Sequence, residues 1–501
     1  MKANMLEYLE ETAARLPDKV AFYDDRDSLT FAALEKTARR IGSCLAETTL
    51  ARGPVALLLD PRSIRNIPAL YGVLYAGCAY APLDIAMPAE RLHLLLELLA
   101  PAVILADEKG EKAARACGFA CIRYEKAILH PVDQEKLLAL RRRASVYDPM
   151  SILYTSGSTG IPKGSIQTHF SYLHWTEATI DVYGLTENTV FGNQSPFFYA
   201  NSILDIFPPV ALGATVYLLP GGVLTFPKKL IQCLNEHHIT EFCMTPSSFI
   251  SVVNAGVLTP GCLPELKWGI MSGESMPWQP LKVWMEATPN ADWWHFYGST
   301  EMFSVAVGKV NRNHQNGDRL PVGKPFSLAH ILFIDENGEE APAGVPGEML
   351  VSSPWIASGY HRDKKRTAAS WIDDPLGRGT LERFFRGGDM GYIREDGQLM
   401  VLGRKDSQIK HMGYRMEIGE VEEALHTLPG WQEGCVLFDA ENDRLWCFYT
   451  GSLEEKQIKA GLKEKLARYM LPDRYVRLDE MPHTATMKLD RNSLRQRMKY
   501  N

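Results

Sequence analysis

The sequence predicts an α/β protein with a large N-terminal domain of layered α/β subdomains, a small β-barrel-like subdomain and a smaller α+β region at the C-terminus. Three observations lead to this prediction. Short apolar segments alternate with amphipathic helical patterns as far as residue 297, which is typical of substantially parallel sheets covered by helices. From about residue 345 the pattern becomes rich in turns and strands. The 501 residues also exceed the size at which one hydrophobic core stops growing, so we expect at least two domains.

The first predicted helix illustrates how the elements are assigned. Met5, Leu9, Ala13 and Leu16 recur at helical spacing, and Pro17 ends the pattern. The same criteria predict helices over residues 5–17, 34–45, 64–76, 168–180, 202–212, 230–237, 418–428 and 454–467. Short apolar runs predict strands over residues 20–23, 29–31, 54–59, 103–106, 190–191, 214–219, 241–244, 269–271, 294–297, 347–351, 391–397, 399–402, 434–438 and 446–450.

Composition is that of an ordinary globular enzyme, with 46% hydrophobic and 23% charged residues. The net charge of -6 gives no global basic field, so we expect no nucleic-acid partner. The most apolar stretch, Ala69 to Ala81, is too short to span a membrane, and the N-terminus lacks the apolar core of a signal peptide. The nine cysteines form no metal-binding pattern, so we expect reduced thiols in a cytoplasmic protein.

Residues 154–164 read YTSGSTGIPKG and directly follow a predicted buried strand. Glycines let backbone N–H groups approach an anion, hydroxyl groups add donors, and Lys163 supplies positive charge, so the segment suits a loop around phosphate. A flexible linker is the alternative, although linkers rarely follow a buried strand so tightly. A Walker A loop is excluded, because it requires Gly-Lys-Ser/Thr and here Lys163 precedes Gly164.

Two further strands are predicted to end in polar residues, at Ser272-Gly273-Glu274 and at Tyr297-Gly-Ser-Thr-Glu301. In parallel sheets ligands bind beyond the carboxyl ends of the strands. We therefore expect these two segments and the loop at 154–164 to meet at one site.

Six motifs resemble, in order and spacing, those of the adenylate-forming superfamily, which includes acyl-CoA synthetases, adenylation domains of nonribosomal peptide synthetases, D-alanyl carrier-protein ligases and firefly luciferase. They are YTSGSTGIPKG at 154, YGSTE at 297, GEMLV at 347, GGDMGY at 387, GRKDSQIKHMGYRMEIGEVE at 403 and KLDR at 488. Each motif alone is weak, but six in order over essentially the whole chain are specific. The resemblance implies an AMP-binding domain over 1–403, a hinge at 404–406 and a mobile C-terminal domain over 407–501.

The family implies two half-reactions. A carboxylate attacks the α-phosphorus of ATP to give an acyl-adenylate and pyrophosphate, and a thiol then takes the acyl group and releases AMP. Because the first step brings anions together, the site must supply positive charge and oriented donors. The resemblance implies ATP and Mg²⁺ as cofactors. It assigns nucleotide binding to Thr155, Ser156, Gly157, Ser158, Thr159, Gly160, Gly273, Glu274, Tyr297, Gly298, Ser299, Asp389 and Arg404, with Lys163 and Thr300 on the phosphates and Glu301 as the Mg²⁺ ligand.

Three residues near the C-terminus take roles from the same resemblance. Asp406 matches the hinge about which the C-terminal domain rotates between half-reactions, and Gly413 matches the loop that enters the site for thioester formation. Lys488 matches the catalytic lysine that bridges carboxylate and phosphate. The family usually has glycine before this lysine, whereas this chain has Met487, so we expect the loop to hold Lys488 less freely.

The acid-binding pocket follows by register from Gly213. The family's aspartate that pairs with the ammonium of α-amino acids is replaced by Ala200, and a buried ammonium without a counter-ion costs several kcal/mol. Asp205 is interpreted as structural rather than as the missing partner. The pattern therefore favours an aryl, hydroxy, keto or short acyl acid. The pocket positions are Tyr199, Ala200, Asn201, Leu204, Cys243, Ile270, Ser272, Phe296, Ser304 and Val305, with Tyr199 equally compatible with a gate to the thiol tunnel and with a core aromatic.

The acceptor is predicted to be the phosphopantetheine thiol of a separate carrier protein, with coenzyme A as the second candidate. The chain ends soon after KLDR and contains no Gly-Gly-x-Ser attachment segment, so we expect the carrier in trans. Three alternatives stay open: an acyl- or aryl-CoA synthetase, an amino-acid ligase with a relocated amine partner, and a luciferase-like oxygenase. A catalytically dead binding protein is disfavoured, because Lys163, Glu301, Asp389, Arg404 and Lys488 occur together.

Overall fold

The structure is a computed structural model that describes residues 2–48, 53–156, 161–274, 276–313, 320–405, 408–482 and 489–498. The chain divides into two compact units. The large unit comprises Met1–Ile85, Leu98–Tyr154 and Gly164–Lys405, and the small unit comprises Ala86–Glu97, Thr155–Lys163 and Asp406–Asn501.

The helices lie in both units. In chain order the α-helices of the described residues are α1 (Leu6–Arg15), α2 (Phe31–Thr48), α3 (Asn66–Tyr75), α4 (Ala89–Leu99), α5 (Glu108–Ala116), α6 (Tyr124–Ala127), α7 (Gln134–Arg142), α8 (His169–Tyr183), α9 (Phe207–Leu212), α10 (Pro227–Glu236), α11 (Pro246–Asn254), α12 (Trp278–Ala287), α13 (Lys364–Ser370), α14 (Ile418–His426), α15 (Glu455–Lys465) and α16 (Arg491–Met498). Single 3₁₀ segments occur at Ala200–Asp205, Val223–Thr225 and Arg468–Met470.

Most strands are short, and the longest of those described, Arg383–Ile393, has 11 residues. They are β1 (Val20–Tyr23), β2 (Ser28–Thr30), β3 (Val55–Leu58), β4 (Tyr80–Pro82), β5 (Val103–Ala106), β6 (Ile122–Arg123), β7 (Pro149–Thr155), β8 (Lys163–Thr168), β9 (Val190–Asn193), β10 (Thr215–Leu218), β11 (Glu241–Met244), β12 (Trp268–Ser272), β13 (Asp292–Ser299), β14 (Phe303–Lys309), β15 (Lys324–Pro325), β16 (His330–Ile334), β17 (Gly347–Ser352), β18 (Gly359–Tyr360), β19 (Trp371–Asp373), β20 (Arg383–Ile393), β21 (Leu399–Arg404), β22 (Gln408–His411), β23 (Tyr414–Glu417), β24 (Glu433–Asp439), β25 (Arg444–Thr450) and β26 (Arg474–Arg477).

A nine-stranded sheet of order β15-β14-β13-β12-β11-β9-β10-β1-β2 forms the centre of the large unit. Its strands from β13 to β1 are parallel, and β14, β15 and β2 are antiparallel to their neighbours. Because side chains alternate along a strand, the sheet buries two separate cores. Cys243 and Ile270 lie on one face, and Phe242 and Met271 lie in the core on the other.

Two further sheets complete the described part of the large unit. The seven-stranded sheet has the order β18-β8-β7-β4-β3-β5-β6, and its inner pairs from β7 to β6 are parallel. The five-stranded sheet runs β16-β17-β20-β19, with β21 also paired to β20, and every pair is antiparallel. The predicted α/β class is confirmed, and the five-stranded sheet is the predicted β-rich subdomain.

The small unit contains the antiparallel hairpin β22–β23 and a three-stranded sheet of order β24-β25-β26. Helices α14 and α15 pack their apolar residues, including Val421, Leu425, Ile458 and Leu462, against one face of that sheet. Helix α15 begins with a capping box in which Glu454 and Gln457 bond each other's backbone N–H groups. This arrangement is the predicted α+β region.

The predicted helix over residues 202–212 is wrong in its continuity. The chain forms the 3₁₀ segment Ala200–Asp205 and then α9, which carries prolines in its first turn. Pro208 and Pro209 lack backbone N–H groups, so a helix tolerates them only where those groups have no intrahelical partner. Because of this break, the helical period of α9 does not set the directions of the side chains of residues 200–205.

No helix of the described residues is long and apolar enough to cross a membrane. All nine cysteines fall within the described residues, and each is a free thiol.

His169, the first residue of α8, should make the stability of the fold depend on pH. His169 is buried, and Met5 N donates to its Nδ1 at 3.4 Å. Burial lowers the pKa of His169 from 6.5 to about 4, with a smaller opposing effect of Asp148. As the pH falls, the unfolded chain is protonated on this histidine at a higher pH than the folded protein is. The free energy of unfolding should therefore fall by about 3 kcal/mol as the pH drops from 6.5 to 4. Urea unfolding of wild type and His169→Gln at several pH values checks this, since the variant should lack this component. Equal pH dependence in both proteins would contradict it.

Candidate functional site

The turn between β13 and β14 carries the YGSTE motif. Glu301 is fully buried, and Tyr360 Oη donates to its Oε1 at 2.9 Å. The turn backbone is also held, because Gln167 Nε2 donates to Thr300 O at 3.1 Å and Ala357 N donates to Glu301 O at 2.7 Å. Gln167 belongs to β8 and Tyr360 to β18, which pair at the edge of the seven-stranded sheet. One sheet therefore fixes the turn at the end of another, and the carboxylate of Glu301 is oriented rather than free in solvent.

Three residues predicted to bind the nucleotide meet at Asp389. Asp389 and Arg404 are directly opposite each other in β20 and β21. Tyr297 Oη donates to Asp389 Oδ2 at 2.6 Å, and Arg404 Nη1 donates to Oδ1 at 3.1 Å. The side chains of Asp389 and Arg404 are 15% and 18% exposed, so solvent still reaches the pair. Both carboxylate oxygens are thus directed into one small region by partners from two different sheets.

The GEMLV motif has a structural role at this point. Arg386, which precedes GGDMGY, donates to Glu348 through Nε at 2.8 Å and through Nη2 at 2.7 Å. This two-point pairing, together with Lys405, lowers the pKa of the Glu348 carboxyl. A bidentate pair restricts orientation more than a single contact does. It fixes β20 against β17 close to Asp389.

Glu274 lies where the sequence predicts, directly after β12, but its carboxylate has a structural partner. Ser247 N in the first turn of α11 donates to Glu274 Oε2 at 2.9 Å. An acidic side chain at a helix N-terminus is favoured by the helix dipole. His295 Nε2 lies 3.2 Å from Glu274 O. Gly273 has a φ of 99°, a backbone conformation that side chains disfavour.

Tyr154 and Gly164, at the ends of the glycine-rich loop, belong to the large unit, whereas Thr155, Ser156 and Lys163 are grouped with the small unit. Ser156 is buried, and its Oγ donates to Arg415 O at 3.0 Å. Thr155 Oγ1 is buried without a hydrogen-bond partner among the described residues. Lys163 begins β8. Gly157, Ser158, Thr159 and Gly160 lie outside the described residues.

Gly413 occupies the turn of the β22–β23 hairpin, also in the small unit. Its φ is 81°, and that of Met412 is 52°. Met412 N donates to Asp443 Oδ2 at 3.1 Å, which holds this strained turn. His411, whose Nδ1 lies 2.6 Å from Tyr469 O, has its pKa raised because hydrogen bonds to Asp473 and Tyr469 outweigh burial. Asp406 and Lys488 lie outside the described residues.

Four predicted pocket positions on the nine-stranded sheet share one face. Cys243 pairs with Ile270 between β11 and β12, and Ser272 pairs with Phe296 between β12 and β13. Asn201 Nδ2 donates to Ser272 Oγ at 3.3 Å, which joins the 3₁₀ segment to the sheet. Leu204, Ser304 and Val305 are buried, whereas Tyr199 and Ala200 are partly exposed.

Sequence reasoning missed Tyr360 and Gln167, because each lies far along the chain from the turn it supports and no spacing relates them. It also missed Glu241, although an acidic residue in the buried strand EFCM is a local signal. Glu241 is fully buried, and neither of its oxygens has a hydrogen-bond partner among the described residues. Burial and the neighbouring Asp205 raise its pKa well above the ordinary value.

The comparisons with known proteins agree on one family. AMP-binding enzymes match residues 9–361, and the AMP-binding enzyme C-terminal domain matches residues 420–488. Bacitracin synthase 1 from Bacillus licheniformis is 29% identical over 494 residues, which are 97% of this chain but 9% of that protein. The chain therefore spans a small part of the length of this relative.

Two solved structures share the fold. The Vibrio cholerae adenylation domain AlmE, in complex with glycyl-adenosine-5'-phosphate, has a TM-score of 0.85 at 19% identity and covers 100% of this chain and 98% of its own. An NRPS protein containing adenylation and PCP domains has a TM-score of 0.82 at 25% identity and covers 99% of this chain and 84% of its own.

Ser304 is a predicted pocket residue whose hydroxyl also supports the fold. Trp175 Nε1 donates to Ser304 Oγ at 2.8 Å, and Ser304 is buried. Ser304→Ala should lower the free energy of unfolding by about 1–3 kcal/mol, because the buried indole N–H loses its acceptor. Ser272→Ala is the matched control and should cost less, since Asn201 is partly exposed and water can replace the lost contact. Chemical denaturation measures both, and equal losses would contradict the assignment.

Proposed function

Because the chain belongs to the family of AMP-binding enzymes and is an adenylate-forming, AMP-forming ligase, we propose that it activates a carboxylic acid lacking an α-ammonium group and passes the acyl group to a carrier-protein phosphopantetheine. The family matches confirm the resemblance to the adenylate-forming superfamily. The observation that carries the proposal is the convergence of Tyr297 and Arg404 on Asp389.

Asp389 suits the ribose of ATP. Its two oxygens point toward one region, so they could accept hydrogen bonds from two adjacent hydroxyl groups. Tyr297 offers a ring beside the same carboxylate as a surface for adenine. Arg404, always charged, stands close enough to balance Asp389 when the nucleotide is absent and to face phosphate when it is present.

In the first half-reaction an oxygen of the substrate carboxylate attacks the α-phosphorus of ATP. The new bond joins that oxygen to phosphorus, and the bond to the bridging oxygen of pyrophosphate breaks. Negative charge accumulates on the departing pyrophosphate, so donors fixed before the reaction stabilise it most. By resemblance, Thr155, Ser156 and Lys163 hold the pyrophosphate, Thr300 contacts phosphate, and Lys488 bridges the carboxylate and the α-phosphate.

Glu301 fits the Mg²⁺ that the family implies. It is a buried carboxylate whose position is set by Tyr360, and Mg²⁺ commonly binds one or two carboxylates together with substrate phosphates. When bound there, the ion would supply positive charge to the phosphates. Glu301 would hold it, and Tyr360 would keep the carboxylate oriented.

Ala200 limits the acid that is activated. At this position an α-amino-acid ligase needs an acid to pair with the substrate ammonium, and alanine cannot provide one. The surrounding side chains are mostly apolar with a few neutral polar groups, which favours an aryl, hydroxy, keto or short acyl acid. An amino acid whose amine finds a different partner is the second candidate.

The acceptor is proposed to be a carrier protein in trans. The relatives of known structure include a protein containing adenylation and PCP domains, which supports a carrier protein as the acceptor. An acyl- or aryl-CoA synthetase is the alternative. A cytoplasmic location, suggested by the free thiols, belongs to the same proposal.

Acid-dependent exchange of labelled pyrophosphate into ATP tests the first half-reaction. With Mg²⁺ present, wild type should give exchange with an acid that lacks an α-ammonium group, and Asp389→Asn should lose exchange with every acid because nucleotide binding fails. Ala200→Asp should raise exchange with α-amino acids relative to wild type. If ordinary α-amino acids were already the best substrates of wild type, the argument from Ala200 would be wrong. Absence of exchange with any acid would reject the ligase activity.

The two half-reactions should separate in two variants. Lys488→Ala should cripple adenylate formation by about 100-fold or more, as loss of a charge placed on the reacting groups predicts, but should spare thioester formation from a supplied adenylate. Gly413→Leu should do the reverse, because a bulky side chain is strained at positive φ in the hairpin turn. Exchange and thioester yield are measured for both. Equal losses in both assays would reject this division of labour.

A further inference from the structure

We propose that Glu241, together with Asp205, forms the far end of the acyl pocket and binds a cationic nitrogen group at the end of the substrate remote from the reacting carboxylate. This inference rests on the proposed function and narrows its substrate class to amino acids whose amine is distal rather than α. Four features of the large unit support it.

The strand register places Glu241 on the pocket face. Glu241 and Cys243 are two residues apart in β11, so their side chains leave the same side of the sheet. Cys243 pairs with Ile270, and both are predicted to line the pocket. Two residues along a strand span roughly 6.5 Å. Glu241 therefore lies about one layer of side chains deeper than Cys243, away from the strand ends where the nucleotide residues lie.

The two acids have unused acceptor atoms. Glu241 is fully buried and neither of its oxygens is hydrogen-bonded within the described residues. Asp205 is 3% exposed; its Oδ2 accepts from Asn193 Nδ2 at 2.8 Å, but its Oδ1 has no partner among the same residues. A buried polar atom without a partner is costly, and a buried charge is costlier still. The two carboxyl groups therefore lack a hydrogen-bond donor, and the described residues supply none.

The groups around Glu241 and Asp205 make ionisation of these two acids more costly. Burial raises the pKa of Asp205 to about 7, and burial together with Asp205 raises the pKa of Glu241. Burial and the same two acids raise the pKa of the Cys243 thiol. No ion pair within the described part of the chain involves either acid. In the empty enzyme a proton relieves the repulsion between them, and a cationic nitrogen would relieve it more specifically.

Aromatic side chains border the same region. Trp294 pairs with Ile270 in the sheet register, and its ring meets that of Tyr183 edge-on with centroids 5.2 Å apart. Tyr183 is buried in the same apolar core as Cys243 and Ile270. Aromatic faces attract cations, and the attraction is stronger away from water. Acids and aromatic rings together suit an ammonium group better than a neutral acyl tail.

The positions of Asp205 and Glu241 also agree with the absence of an acid at position 200. The acid that pairs with an α-ammonium is missing near the reacting end, whereas two acids lie deeper in the wall. A substrate that presents its carboxylate to the nucleotide and its amine to the far end satisfies both observations. The sequence interpretation of Asp205 as purely structural covers its contact with Asn193 but leaves Oδ1 unexplained.

A series of amino acids of increasing length tests the inference. Pyrophosphate exchange is measured with β-alanine, 4-aminobutanoate, 5-aminopentanoate and 4-(aminomethyl)benzoate, each beside the neutral acid in which methyl replaces ammonium. Wild type should prefer one amino acid over its neutral counterpart by about 100-fold, because a site built around buried charges rejects an analogue that leaves them unpaired. Glu241→Gln should reduce that preference to near unity.

Glu241→Asp is the conservative control. It keeps the charge but withdraws the carboxylate by one methylene, so the preference for an amine should persist and the best chain length should increase by one carbon. A merely structural role for Glu241 predicts the same fractional loss for every acid. The inference would be overturned if wild type gave its strongest exchange with neutral acids and Glu241→Gln left the ratio of amino-acid to neutral-acid exchange unchanged.

Thermal unfolding separates failure of the inference from failure of the proposed function. Glu241→Gln should keep the unfolding midpoint of the substrate-free enzyme near that of wild type at neutral pH, because a proton already neutralises one acid of the buried pair. Hexylammonium chloride should raise the midpoint of wild type but not that of the variant. Stabilisation by hexylammonium without any exchange would reject the ligase activity and retain the cation site. Neither stabilisation nor an amine preference would reject the cation site.

Discussion

The parallel order of β9, β11, β12 and β13 is the constraint on which the site depends. Parallel strands bring their carboxyl ends to one edge of the sheet, so the polar segments that follow them must lie near one another. The chain then reverses into β14, and the turn between these strands carries Glu301. That turn keeps its position because β8 and β18, at the edge of another sheet, bond to its backbone and its carboxylate. Packing between two sheets thus holds the turn and the carboxylate of Glu301 in one position.

The acidic residues of the large unit differ in environment, and the difference separates their roles. Asp389 remains partly exposed, and both of its oxygens are bonded to groups that a nucleotide could displace or join. Glu301 is buried with a neutral hydroxyl partner, which suits a carboxylate that holds a cation. Glu241 and Asp205 are buried with unsatisfied oxygens. A buried carboxyl oxygen without a hydrogen-bond partner is costly, and this cost would be relieved by a bound donor.

Generic and specific chemistry occupy different parts of the same sheet. The strand ends carry the residues that would bind ATP, and the strand face carries the residues that would bind the acid. Because successive side chains alternate across a strand, a substitution of Glu241 in β11 alters one face of the sheet without moving the strand ends. This separation explains how one nucleotide site can serve enzymes that activate different acids.

The sequence alone determined the α/β class, the β-rich subdomain and the residues of the nucleotide motifs, because alternating apolar periodicity and clustered glycine, hydroxyl and charged residues are local properties of the chain. It did not reveal the break between the 3₁₀ segment Ala200–Asp205 and α9, since the apolar pattern continues through Pro208 and Pro209. Tertiary structure alone decided that Tyr360 supports Glu301, that Tyr297 and Arg404 meet at Asp389, and that Glu241 is buried with both oxygens unpaired among the described residues. These contacts join residues far apart in the chain, and their energies depend on burial and on sheet register, which no local pattern contains.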